Sequence, residues 1–313
     1  MVAVSRIFTH FKAVAPGYNH SEQNCQDAAD SVLLEEGQNA GIALVADGHG
    51  SRRHFRSAQG AKFAVEVAKA GMLRFIQDTG GNLKKISENL KNLKGHIIYR
   101  WRDAVLQDIA AHPFQDDEIS ICAEHAMNPQ DENDQVAAYG STLIGAALGE
   151  TFWFVIQIGD GECVVLTRDG KAEIGISDKD KRLAFGRTTS LCNADALESF
   201  KHNCGGIIAG ITVASDGVTD SFIRNDREDK YTDFNLKLLE TFVKFPDAAE
   251  QELREFLPKL SAKGSKDDVA LAGVFDLDLG KRVLGPPAQT QPPQPEDPAA
   301  YGDYCRRPGA KNR

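Results

Sequence analysis

What this chain of 313 residues has little of already narrows its class. Its six cysteines (Cys25, Cys122, Cys163, Cys192, Cys204 and Cys305) are scattered, with neither a CxxC pair nor dense spacing, which excludes a disulfide scaffold and favours reduced thiols. No apolar run reaches membrane-spanning length, and the start Met1-Val2-Ala3-Val4-Ser5-Arg6-Ile7 lacks the basic segment and long apolar core of a signal peptide. A cytoplasmic protein with no membrane partner is expected. Basic excess is missing as well: 36 Lys and Arg against 45 Asp and Glu leave a formal charge of -9, which argues against nucleic-acid binding, where clustered cations must neutralise phosphates. Proline is scarce until the end. Pro286, Pro287, Pro292, Pro293, Pro295, Pro298 and Pro308 are seven of the twelve, so residues 281–313 read as an extended tail and residues 1–280 as one folded domain, expected to be a monomer.

What is present, 42% hydrophobic residues, suffices for a sizeable core. Loose alternation from Val4 to Val14 predicts a first strand, stopped by Pro16-Gly17. Strands follow over Ala28–Leu34 and Gly41–Ala46. The pattern turns helical from about Phe55 to Phe75, and Leu83, Ile86, Leu90, Leu93, Ile97, Trp101 and Val105 step by threes and fours along a second, long amphipathic helix toward Ala111. A short helix is expected over Glu118–Ala126. Strands at Thr142–Leu148, Thr151–Ile158, Glu162–Thr167 and Ala172–Ile176, separated by tight glycine turns, predict an antiparallel meander. Ser177–Cys204 has little periodicity and reads as a functional flap or a disordered excursion. Helices over Asp233–Val243 and Ala248–Leu260, then a strand over Val269–Leu277, complete the domain.

Chemistry concentrates where apolar runs end in acids. Ala43-Leu44-Val45-Ala46-Asp47-Gly48-His49-Gly50 reads as a buried strand delivering a carboxylate to a rim where glycine lets backbone approach a ligand. Ile211-Thr212-Val213-Ala214-Ser215-Asp216-Gly217 repeats the pattern, and Asp267-Asp268 opens a third apolar run. Carboxylates gathered without matching cations repel one another unless a divalent ion sits among them, and hard oxygen ligands favour Mg²⁺ or Mn²⁺.

Six blocks in order carry a family resemblance. They are Asn24-Cys25-Gln26-Asp27-Ala28, Val45-Ala46-Asp47-Gly48-His49-Gly50, Tyr139-Gly140-Ser141-Thr142, Ile158-Gly159-Asp160-Gly161, Ala214-Ser215-Asp216-Gly217-Val218-Thr219-Asp220 and Gly264-Ser265-Lys266-Asp267-Asp268-Val269. Over roughly Gly17 to Phe275 the chain resembles the metal-dependent protein phosphatases of type 2C, the PPM family, in a bacterial branch with a His and a Cys-Gln-Asp at its first block. The resemblance implies an α+β, four-layer αββα sandwich, two antiparallel sheets face to face with helices outside. It implies a serine/threonine phosphatase domain at 1–280, acting on a phosphoprotein and opposing a serine/threonine kinase. Two Mg²⁺ or Mn²⁺ ions would be bridged by Asp47, with the Gly48 carbonyl completing one sphere and Asp216 and Asp267 holding the other. Asp27 would act chiefly through a metal-bound water, and Asp160 would help Asp216 hold a third ion. His49 is the implied general acid. Asp267 is preferred to Asp268 from the alignment of Ser265.

The chain departs from that pattern at Glu22, where many relatives carry an arginine that grips the substrate phosphate. Candidate replacements are His20, Arg52 and Arg53. The missing arginine also motivates an alternative, a pseudophosphatase that binds a phosphoprotein without turnover. A haloacid-dehalogenase-type hydrolase is set aside, because it needs an Asp two residues before a second Asp, and positions 45 and 214 are Val and Ala.

Overall fold

The computed structural model describes residues 6–18, 20, 25–34, 39–177, 188–222 and 227–285, with no side chains for 227–229. Glu22 and the tail beyond Gly285 lie outside them. Among the described residues, ten strands form two five-stranded antiparallel sheets. The first sheet has the order β1(Phe8–Ala15), β10(Val269–Asp276), β9(Gly210–Ala214), β6(Glu162–Leu166), β7(Ala172–Ile174). The second has the order β2(Asp27–Leu33), β3(Ala40–Asp47), β4(Leu143–Gly149), β5(Trp153–Ile158), β8(Lys201–Gly205).

Period-two alternation assigns each strand's residues to two cores. On β3, Ala43 and Val45 join Ala270, Ala272 and Val274 of β10 in a core between the sheets. The intervening Ile42, Leu44 and Ala46 face α1(Ser57–Thr79) and α2(Leu83–Ala111). On β10, Val269, Leu271 and Phe275 pack instead against α7(Arg227–Lys244) and α8(Pro246–Lys263). The result is helix, sheet, sheet, helix. The predicted stripe on α2 is buried from Ile86 to Val105, and the Trp101 indole donates to the Gly60 carbonyl of α1 at 2.9 Å. Gly60 is required there: a Cβ would fall 1.8 Å from the Tyr139 carbonyl oxygen. Trp153 lies in the inter-sheet core, so both tryptophans pack rather than face a ligand.

The expected meander is corrected at one point that matters. β5 and β6 do not pair; they belong to different sheets, and Gly159-Asp160-Gly161 is a corner between them. Two glycines make the corner possible. Gly159 has φ +111° with the Thr142 side chain 2.5 Å from where a Cβ would stand, and a Cβ on Gly161 would meet the Ala214 carbonyl at 2.4 Å. Elements absent from the sequence reading are α4(Glu132–Ala137), α5(Ala196–Ser199), β8, α6(Asp216–Thr219) and α9(Leu277–Leu284), while α3(Asp116–Glu124) matches the expected short helix. The excursion after Ile176 therefore ends in a short helix and an edge strand. The composition break near Gly280 falls inside α9, whose Gly280 packs against Leu239 and Val243 of α7. Among the described residues, no helix is long and apolar enough to cross a membrane.

Candidate metal centre

Both sheets send acids to the same end of the sandwich. Asp27, the first residue of β2, is the register partner of Asp47, the last of β3. The 139–142 block clamps the Asp47 backbone: its N–H donates to Thr142 Oγ1 at 2.9 Å, and its carbonyl accepts from the Thr142 N–H at 2.8 Å and Ser141 Oγ at 3.1 Å. Gly48 follows, donating to the Gln26 carbonyl at 3.1 Å, in a gap where a Cβ would come within 2.7 Å of the Ser57 backbone.

From the first sheet, β9 ends at Ala214, and Asp216 opens the short helix α6. Ser215 ties the two sheets together, because its Oγ donates to Asp27 Oδ2 at 2.6 Å and accepts from the Ala270 N–H at 2.9 Å. Asp160 arrives on the inter-sheet corner, where Thr188 Oγ1 donates to its Oδ2 at 2.5 Å. Asp47, Asp160 and Asp216 each offer an oxygen within 4.8 Å of the others. The two acids at the start of β10 differ in kind. Asp267 is exposed, whereas Asp268 is buried and accepts from the Gly17 and Gln26 N–H groups at 2.7 and 2.8 Å.

No ion pair among the described residues uses Asp27, Asp47, Asp160, Asp216 or Asp267. Burial first, then mutual repulsion, pushes Asp27 and Asp47 well above the ordinary carboxylate range and Asp216 up to about 6. An all-oxygen set whose members must be protonated to tolerate one another fits a divalent cation, which would replace those protons.

His49 lies beside this cluster. Its N–H donates to the Gly140 carbonyl at 3.1 Å and its ring sits 4.9 Å from the His54 ring. Burial, then the neighbouring His54, pushes it down to about 4, so the imidazole is neutral near pH 7. Arg52 and Arg53 occupy a 3-10 turn after Ser51. Arg52 pairs with Glu124 at 3.0 Å, and Arg53 reaches Asp134 at 3.8 Å. His20 donates toward Asp268 across the rim. Cys25 stands next to Gln26, with its thiol pushed up to about 12 by burial and by Asp268, which makes it a poor nucleophile.

The sequence reading missed several residues that hold this arrangement. Ser215 and the Ser141-Thr142 pair lay inside quoted blocks, but only their hydrogen bonds reveal that they fix Asp27 and Asp47. Thr189 and Ser190, at the returning end of the excursion, accept from the Gly159 and Ser141 N–H groups at 2.9 and 3.1 Å. No local pattern signals such contacts, which span 30 and 49 residues.

Comparison with solved structures gives bacterial phosphatases. Stp1 from Staphylococcus aureus, a serine/threonine phosphatase, is 17% identical with a TM-score of 0.55 over 86% of this chain and 95% of that one. A bacterial serine phosphatase is 15% identical, with a TM-score of 0.54 over 87% and 98%. The catalytic domain of the phosphatase PstP, in complex with two manganese ions, is 16% identical, with a TM-score of 0.50 over 86% and 97%. At these identities the likeness establishes the fold. No curated protein sequence matches significantly. The family model for protein phosphatase 2C, however, matches residues 17–258, a span that contains the Asp27, Asp47, Asp160 and Asp216 positions and most of both sheets. The chain belongs to the protein phosphatase 2C family.

Proposed function

We propose that this chain is a metal-dependent protein serine/threonine phosphatase, hydrolysing phosphoserine and phosphothreonine on a protein kept phosphorylated by a serine/threonine kinase. The observation that carries this reading is the partly buried carboxylate cluster with which no cation among the described residues pairs, in a chain of this family. In this reading Asp47 would hold both of two ions, with the Gly48 carbonyl serving one and Asp216 and Asp267 the other. Asp160 would help Asp216 with a third. The oxygen-only donor set suits Mg²⁺ or Mn²⁺. When bound, such ions supply a nucleophilic water and an electrophilic clamp on the phosphoryl oxygens, so no covalent phosphoenzyme is needed.

The chain's own residues do the positioning. Ser215 holds Asp27 against the first sheet, Ser141 and Thr142 fix the Asp47 backbone, and Gly48, by carrying no side chain, lets the strand end pack against the Ser57 and Gln26 backbone. His49, expected as general acid, is neutral near pH 7 in this setting, and it serves better by ordering the water that protonates the departing seryl or threonyl oxygen.

The test is turnover of p-nitrophenyl phosphate with and without Mn²⁺, comparing the wild type with Asp47→Asn and Asp216→Asn. Each substitution removes charge and almost no volume. Activity should require Mn²⁺ and fall to background in both variants, with circular dichroism unchanged. Metal-independent turnover, or full activity in either variant, would sink the assignment. Tight binding of a phosphopeptide without turnover would favour the pseudophosphatase reading instead.

A further inference from the structure

The Asp268 carboxylate is 4% exposed as a residue, yet it bonds to three segments at once. Its Oδ1 accepts from the Gly17 N–H at 2.7 Å and contacts His20 Nδ1 at 2.9 Å, and its Oδ2 accepts from the Gln26 N–H at 2.8 Å. Gly17 follows β1 in the first sheet, and Gln26 precedes β2 in the second. Asp268 therefore pins the two sheets together beside the carboxylate cluster, and its own N–H donates to Asp267 Oδ1 at 2.9 Å.

The same bonds fix His20. Its backbone N–H donates to the Gly17 carbonyl at 2.8 Å, and the Tyr18 N–H donates at 3.2 Å to the carbonyl of Lys266, which precedes β10. Because Oδ1 already accepts from a backbone amide, a carboxylate contact at 2.9 Å is satisfied by Nδ1–H donating. That choice leaves Nε2 as the ring nitrogen without an assigned task, on a side chain 40% exposed. A His20 ring nitrogen and an Asp267 oxygen lie within 4.8 Å, so the ring stands at the edge of the proposed metal centre. Arg52 and Arg53 are engaged by acids of α3 and α4, which leaves His20 as the rim candidate not committed to a surface ion pair.

We propose that Asp268 is a positioning residue that fixes the His20 ring at the rim of the carboxylate cluster, where Nε2 contacts the phosphoryl group of the substrate. The proposal rests on the phosphatase reading for the identity of that ligand. The mechanism is orientation: a carboxylate that spends its lone pairs on two backbone amides and one imidazole holds the ring in one rotamer, so the phosphate contact forms without ordering a free side chain.

The test uses inorganic phosphate as probe on the Mn²⁺-loaded full chain, read by calorimetry, with Mn²⁺ affinity and Tm measured on the same variants. His20→Asn places an amide nitrogen where Nδ1 donates to Asp268 and removes the distal nitrogen. The phosphate Kd should rise about tenfold, as for loss of one hydrogen bond to a charged group, with Mn²⁺ affinity and Tm unchanged. Asp268→Asn, which sets an NH₂ group against a backbone donor, should raise the same Kd. Combined with His20→Asn it should weaken phosphate binding no further, since both act on one contact. An unchanged phosphate Kd in His20→Asn overturns the proposal. So does a parallel loss of Mn²⁺ affinity, which would make His20 a metal ligand, or strict additivity of the two changes. The His20→Asn result decides alone if Asp268→Asn fails to fold. A wild type that binds phosphate through His20 but does not turn over p-nitrophenyl phosphate would leave this proposal standing while the phosphatase reading falls.

Discussion

On one side of the Gly48–Arg56 loop, the Arg56 guanidinium is met by both oxygens of Glu118 at 2.6 and 2.7 Å, the Tyr139 hydroxyl at 2.7 Å and the His112 carbonyl at 2.8 Å. Tyr139 passes its own proton toward Asp108 at 2.5 Å, and the guanidinium lies 4.8 Å from the Phe114 ring centre. On the other side, Asp27, Asp47, Asp160 and Asp216 converge with no cation among the described residues paired to them. Both clusters are largely buried, and both are fixed by backbone. The first is complete within the chain: Glu118 and the Tyr139 hydroxyl hold Arg56 above its usual range, and Arg56 in turn holds Glu118 below its own. The second has no such partner among the described residues, and a bound divalent cation would balance its charge. Buried charge of one sign costs stability, so a fold keeps it where a ligand restores the balance.

The comparison can be broken most forcefully at Arg56, whose side chain is 13% exposed. Arg56→Met removes the cation and leaves Glu118 and Asp108 facing one another without it. Losing one partner of a mostly buried pair costs about 2–4 kcal/mol, so Tm should fall by roughly 5–10 °C. Mn²⁺-dependent activity measured well below that Tm should survive, because Arg56 bonds to none of the cluster's carboxylates. A variant that melts normally but has lost Mn²⁺ affinity would show that Arg56 belongs to the metal centre rather than to the scaffold.

Much of this contrast was legible in the sequence, and for a physical reason. Asp47 and Asp216 end runs of apolar residues and are followed by glycine, and the strand period and the glycine requirement are both local. The α2 stripe was equally plain. What the sequence did not disclose was partnership across distance. Asp160 sits in a Gly-Asp-Gly turn that reads as a hairpin, and only the packing of Gly159 on Thr142 and Gly161 on Ala214 makes it a corner between sheets. Asp267 and Asp268 are neighbours with one side-chain type and opposite fates, one exposed and one fastening Gly17 and Gln26, residues some 250 and 240 positions earlier. β8 escaped notice because Lys201-His202-Asn203-Cys204-Gly205 is a polar edge strand without apolar alternation.

The cost of the unbalanced cluster is itself measurable. Asp216 titrates near 6 in the fold against 3.8 for a free carboxyl, so the folded state binds its proton more tightly than the unfolded one. The stability tied to that group is fully present below pH 3.8 and lost as pH rises through 6. His49 and His54, pushed the other way, titrate with opposite sign, so the comparison must be between two proteins that share them. In EDTA at pH 8, Asp216→Asn should melt above the wild type by an amount corresponding to about 2–3 kcal/mol, with the gap closing toward pH 4. Mn²⁺ at pH 8 should reverse the order, because only the wild type gains binding energy. Equal melting of the two apo proteins at pH 8 would mean that the carboxylates are not in conflict.

The smallest effects belong to Arg52 and Arg53, which the sequence nominated for phosphate. Arg52 is 68% exposed at its side chain and pairs with a Glu124 that is itself 54% exposed, a geometry worth about 0–1 kcal/mol at most. Arg52→Ala should shift Tm by no more than about 1–2 °C and KM for p-nitrophenyl phosphate by less than about twofold. Arg53 is the sharper case. Its contact with Asp134 is long at 3.8 Å, and its charge is felt by the Cys192 thiol, two residues beyond the Ser190 that clasps Ser141. The guanidinium is therefore near the segment that closes one edge of the site, though tethered to the complete side of the contrast by an acid of α4. If Asp134 governs it, Arg53→Ala should also leave KM within about twofold. A tenfold rise would show instead that Arg53 leaves Asp134 for the phosphate, so that a cation of this chain does serve the unbalanced cluster once substrate arrives, and steady-state kinetics on this single variant separates the two cases.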